Sequence, residues 1–165
     1  MAIKRFFAES DSTITNAMKE GLSPGIRGDE ANMGKSDIIE VFSIFGQASS
    51  GSLEQSRALI QFDVSKILAD RNNSTIPASG SVKFFLRLYN AEHGQTLPKN
   101  STLAILPISA SWDEGNGLDM EEYSDLDVSN WIFRSNTQVA DVTDIKFVST
   151  NLANYENFPK TVSQA

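Results

Sequence analysis

A chain of 165 residues has the length of one domain and can bury a core without metal or disulfide support. Its formal net charge of −7 argues against a coat for nucleic acid, because neutralising phosphates takes clustered Lys and Arg. The sequence has no cysteine, which excludes disulfide frameworks, thiolate metal sites and cysteine nucleophiles.

The first residues open like a leader, with Lys4 and Arg5 before Phe6 and Phe7, but Glu9 and Asp11 interrupt the apolar stretch before it reaches about 7 residues. No window approaches the ~18 apolar residues of a membrane span. A secretory leader and a membrane partner are therefore not expected, and lysis of a host is one alternative route outside. Weak strand patterns lie at 5–8 and 13–16, and a stronger one at 38–45. Residues 57–64 alternate, which predicts Ala58, Ile60, Phe62 and Val64 inward and Arg57, Gln61 and Asp63 outward. A helical turn over 65–70 follows, with Asp63 or Ser65 as its cap.

Residues 82–89 repeat the alternation: Val82, Phe84, Leu86 and Leu88 share one face, and Lys83 and Arg87 the other, beside Phe85 and Tyr89. Residues 102–108 read as a fourth strand, 120–123 as a second short helical turn, and 144–148 as a weak strand. Turn signals separate these runs: Ser23-Pro24-Gly25, Ser49-Ser50-Gly51-Ser52, Ala78-Ser79-Gly80 and Asn116-Gly117. Many short strands without a long amphipathic helix predict an all-β fold, an antiparallel β-sandwich or jelly roll with one or two short helical turns, in a single domain over 1–165.

Several segments in chain order point to a family: Phe6 to Ile14, with Ala8-Glu9, Asp11 and Thr13-Ile14; Ser56-Arg57-Ala58-Leu59-Ile60-Gln61-Phe62-Asp63-Val64-Ser65; Phe85-Leu86-Arg87-Leu88-Tyr89-Asn90; Pro107-Ile108; and Ser111-Trp112-Asp113-Glu114-Gly115. The chain resembles a DNRLRE-type β-sandwich domain, a group related to the carbohydrate-binding modules of secreted surface proteins. With Gly115-Asn116-Gly117-Leu118-Asp119, Tyr123-Ser124-Asp125 and Ser129-Asn130-Trp131, it is similar to virion structural proteins of tailed phages, particularly those of marine hosts. The resemblance covers the chain up to about Trp131 and then thins. Asp141-Val142-Thr143 echoes the next family segment, and the closing strands do not follow. That implies an N-terminal part of a longer family domain, or sheets completed by neighbouring chains. The partners implied are identical subunits or other virion proteins, and the location a virion, or the extracellular space for a surface module.

Asp113, Glu114, Asp119, Glu121, Glu122, Asp125 and Asp127 lie together with no Lys or Arg among them. Calcium takes six to eight oxygens, so Asp113, Glu114 and Asp119 are candidate ligands of a structural ion, although the spacing is not that of an EF-hand. A solvated or interface-facing acidic loop is the plainer reading, and no other cofactor is expected. Any such cluster contains a pair of acids, so it carries no specific signal for glycoside hydrolysis. Trp112, Tyr123 and Trp131 are candidate glycan-stacking residues; their alternative use is core packing. His93 is the lone histidine, and no Gly-x-Ser-x-Gly elbow accompanies it. Gly25-Ile26-Arg27-Gly28 lacks the spacing of a phosphate loop. A non-enzymatic module is expected, either a capsid-surface, neck or tail accessory component that works by subunit packing or a carbohydrate-binding module.

Overall fold

The computed structural model describes residues 3–19, 26–46, 50–78, 80–92, 94, 103–108, 110–120 and 128–134. Strands β1 (Ala8–Thr15), β2 (Ser43–Phe45) and β3 (Leu53–Phe62) form an antiparallel sheet in the order β1-β3-β2, and helix α1 (Val64–Asn72) follows directly. The all-β character with one short helix thus matches the sequence reading, and three strands form the sheet of the described residues.

β3 is the central strand and the best-formed one. Its ladder with β1 sets Ser12 opposite Leu59 and Ile14 opposite Arg57, so Ile14 and Leu59 share one face. Both are fully buried, and Ile108, Trp112 and Trp131 pack on them. This corrects the expected facing of β3: Leu59 is the buried apolar residue, while Ala58, Ile60 and Phe62 are only half-buried. The alternation is real, but β3 is covered on both sides, so apolar residues on either parity fit it. Val64, expected inward, is 71% exposed because the strand ends at Phe62 and Val64 opens the helix.

The opposite face is held by hydroxyls. Thr13 Oγ1 accepts the Glu40 N–H at 3.0 Å, and Ser56 Oγ accepts the Phe42 N–H and donates to the Glu40 carbonyl, both at 2.8 Å. The chain entering β2 thus hangs from two side chains of the sheet. This limits β2 to Ser43–Phe45 within the expected 38–45 run, with Ile38, Ile39 and Val41 exposed. β1 takes only Ala8 from the expected 5–8 strand, whose residues 5–7 are not in a strand, and runs on into the expected 13–16 strand as far as Thr15. Its buried positions are mainly polar: Ser12, Thr13 and Thr15. A bulge between Ala8 and Ser10 turns Glu9 outward, where it pairs with Lys66 at 2.5 Å.

Asp63 caps α1 as expected, accepting the Ser65 N–H at 2.8 Å from extended backbone. The Ser65 hydroxyl also donates to it, and that bond, with further support from the Ser65 N–H and Lys66, holds the Asp63 carboxyl below its usual range. Hydrogen bonding to Glu9, then to Asp63, pushes the Lys66 ammonium up. Residues 82–89 differ most from expectation. They enter no ladder and make no backbone hydrogen bond to another described residue. Residues 103–107 likewise enter no ladder among the described residues. The expected elements at 120–123 and 144–148 lie wholly or mostly outside the described residues.

Candidate functional site

The motif around residue 113 is organised by a residue that has no sequence signature of its own. Asn32 is fully buried, and its Nδ2 donates at 2.7 Å to the carbonyls of both Glu114 and Ser129. Ser12 Oγ lies 3.2 Å from the same nitrogen. Asn32 Oδ1 accepts the N–H groups of Gly34 at 3.0 Å and Gly117 at 3.1 Å. One amide thereby satisfies backbone groups from three loops and touches β1, using both its donor and its acceptor capacity.

The glycines around it are there for room. A Cβ on Gly117 would fall on the Asn32 carbonyl oxygen, one on Gly34 on the Glu114 carbonyl, and one on Gly115 on the Asn32 side chain. Gly115 also has φ 82°, which favours glycine. Gly117 of the expected Asn116-Gly117 turn, together with Gly115, is therefore a close-approach clamp on Asn32.

Further bonds close the node. Asp113 donates its N–H to the Arg134 carbonyl and accepts from the Ser129 N–H, each at 3.0 Å. Asn130 Oδ1 accepts the N–H groups of Ile132 and Phe133 at 2.8 and 2.7 Å, and the Trp131 N–H donates to the Asp29 carbonyl at 3.0 Å. Arg134 Nη1 reaches the Ser111 carbonyl at 3.0 Å.

Of the calcium candidates, Glu114 is half-buried and its Oε1 accepts the Asp11 N–H at 2.9 Å, which docks the loop on β1. Asp113 is exposed, and Asp119 is half-buried. Among the described residues, no three Asp, Glu, His or Cys side chains come together as a metal-holding group. Glu121, Glu122, Asp125 and Asp127 lie outside the described residues.

Of the glycan candidates, Trp112 and Trp131 both pack on the Ile14–Leu59 core. The Arg57 guanidinium stands 4.1 Å from the Trp131 ring centroid, and burial there pushes it down from its ordinary value. Both tryptophans thus serve the sandwiching of loop against sheet. Tyr123 and His93 lie outside the described residues. Arg27, from the Gly-Ile-Arg-Gly segment, is structural: its Nη1 donates to the Asn16 carbonyl at 2.5 Å, where 17–19 and 26–28 run side by side.

Two buried polar residues escaped the sequence reading. Asn32 is one. The other is Glu54, buried in β3, whose Oε2 accepts the Met18 N–H at 2.9 Å. Neither carries a local signal, because each is defined by partners distant in sequence.

No family model matches this chain, and neither a curated protein nor a solved structure matches it. Among the described residues, no helix is long and apolar enough to cross a membrane.

Proposed function

We propose that this chain is a non-enzymatic structural protein of a virion, a capsid-surface, neck or tail accessory component built as a β-sandwich or jelly roll that works by packing against other subunits. In this reading the described sheet is one layer of the sandwich, and the face on which Trp112 and Trp131 pack would receive the second.

The observation that carries the reading is the contrast in how side chains are used. The motif residues that invite a chemical reading are spent on architecture: Glu114 on the Asp11 amide, Trp112 and Trp131 on the core, and Gly115 and Gly117 on Asn32. Meanwhile a strand-patterned apolar run, 82–89, is left open, with Phe85 73% and Tyr89 76% exposed. Runs of this kind signal an interaction surface. The family resemblance of the sequence supports the same assignment.

Mass spectrometry of purified particles from the source tests it. The chain is expected in stoichiometric amount with the other virion proteins; particles that lack it refute the proposal. Binding on a glycan array that survives Trp112→Ala in a folded protein would instead favour a carbohydrate-binding module that uses another surface.

A further inference from the structure

Residues 82–89 carry a self-complementary pattern. Val82, Phe84, Leu86 and Leu88 alternate with Lys83, Phe85, Arg87 and Tyr89, and the run contains no acid and no proline. Both faces are open: Leu86 is 39% exposed on one and Phe85 73% on the other. The backbone groups have no hydrogen-bond partner among the described residues. The Arg71 guanidinium of α1 stands 5.8 Å from the Phe84 ring centroid, and the backbone edge of the run is left open among the described residues. An exposed strand-like run of this length without a proline is a template for another strand.

We propose that 82–90 pairs antiparallel with the same residues of a second copy of this chain, about a two-fold axis through Leu86. This deepens the packing function proposed above by naming the partner of that surface.

Charge and length together favour one register: axes at Phe84 and Leu88 also avoid opposed cations, but leave three or more residues of the run opposite positions outside it. With the axis at Leu86, Phe84 faces Leu88 of the second copy, Leu86 faces the second copy's Leu86 and Val82 faces Asn90, giving one face that is apolar but for Asn90. On the other face Lys83 stands opposite Tyr89, and Arg87 opposite Phe85, so each cation meets an aromatic ring. Within one chain the Arg87 guanidinium already lies 4.9 Å from the Tyr89 ring centroid. Moving the axis to Phe85 sets Lys83 against Arg87, and moving it to Arg87 sets two arginines against each other; like charges directly opposed are destabilising. An axis between two residues mixes the faces and destroys the apolar side. A symmetric pairing of this kind is isologous, with the same residues contributed by each copy.

The absence of cysteine makes the test direct. Directly opposed strand residues bring their Cβ atoms to about 5 Å, near disulfide reach, while diagonal neighbours stand ~7–8 Å apart. In the full-length chain, Leu86→Cys is expected to form an intermolecular disulfide rapidly under mild oxidation, and Phe85→Cys slowly. Light scattering should give the mass of a dimer for the unmodified chain. Leu86→Lys should raise the dimer dissociation constant at least ~10-fold, since it sets two ammonium groups against each other at the axis. Circular dichroism on each variant verifies the fold. A chain that stays monomeric at high concentration overturns the proposal, whether or not 82–89 is protected by its own chain. So does a dimer in which Phe85→Cys crosslinks as readily as Leu86→Cys. Absence of the chain from virions would refute the virion assignment yet leave the dimer standing, and a monomeric chain found in virions would do the reverse.

Discussion

The Asn32 node and the 82–89 run use side chains in opposite ways. At the node, polar residues are buried and their bonds are closed within the chain: Asn32, Ser129 and Asn130 are fully buried, and Asn32 alone joins three loops to β1. Along 82–89, large apolar residues are exposed and the backbone is unpaired among the described residues. Ordinary expectation puts apolar groups inside and polar groups outside, so the inversion is informative. Buried polar groups are tolerated only when bonded, and they then specify one arrangement of loops. Exposed apolar rows persist where a partner covers them. The first region is built for folding, and the second is the one we propose for assembly.

Substitutions should separate the two. Asn32→Ala strips partners from two carbonyls and two amides, of which the Ser129 carbonyl and the Gly117 amide are buried. It should cost about 3 kcal/mol, given ~1–3 kcal/mol for each buried group left unpaired. Chemical denaturation reads this directly; a cost under about 1 kcal/mol would deny the node its organising role. Gly117→Ala, which pushes a methyl onto the Asn32 carbonyl, should cost ~1–3 kcal/mol.

Trp112→Ala sharpens the same contrast. The residue is half-buried on the core, so the loss should be about 2 kcal/mol, below the ~3–5 kcal/mol of a fully buried aromatic. Thermal unfolding with no change in Tm would return Trp112 to the list of surface binding residues.

The helix cap predicts a smaller, pH-dependent effect. The Asp63 carboxyl is held below its ordinary range, chiefly by the Ser65 hydroxyl, so its support for α1 is present above the unfolded value and fades as pH falls through the lowered one. Helical circular dichroism should decline in that acid window and be insensitive to pH there in Asp63→Ala. Smallest of all, Leu86→Lys should change monomer stability by no more than about 0.5 kcal/mol, as expected of an exposed site, while changing association strongly.

The legible parts of the fold were those with local causes. Period-two alternation marked β3, and Asp63 before Ser65 marked the start of α1. β1 was fragmented in the reading because Glu9, Ser10, Asp11 and Ser12 resemble a turn; in the sheet, Ser12 lies against Asn32 and Thr13 and Thr15 anchor neighbouring backbone. The facing of β3 was misread because a strand covered on both sides has no single apolar parity. At the site, the Ser111 to Gly117 motif stood out, but its purpose depends on Asn32, far away in sequence. For 82–89 the pattern was plain and the ladder partner was not, since alternation states that a strand can be half-buried and never says against which chain.

Amide hydrogen exchange at two protein concentrations tests the central division most directly. Residues 12–15 and 54–60 should be protected at both, and 82–89 should exchange quickly in dilute solution and become protected as concentration rises. Protection of 82–89 that is equally strong at every concentration would mean that the chain covers this run itself, and would contradict the account.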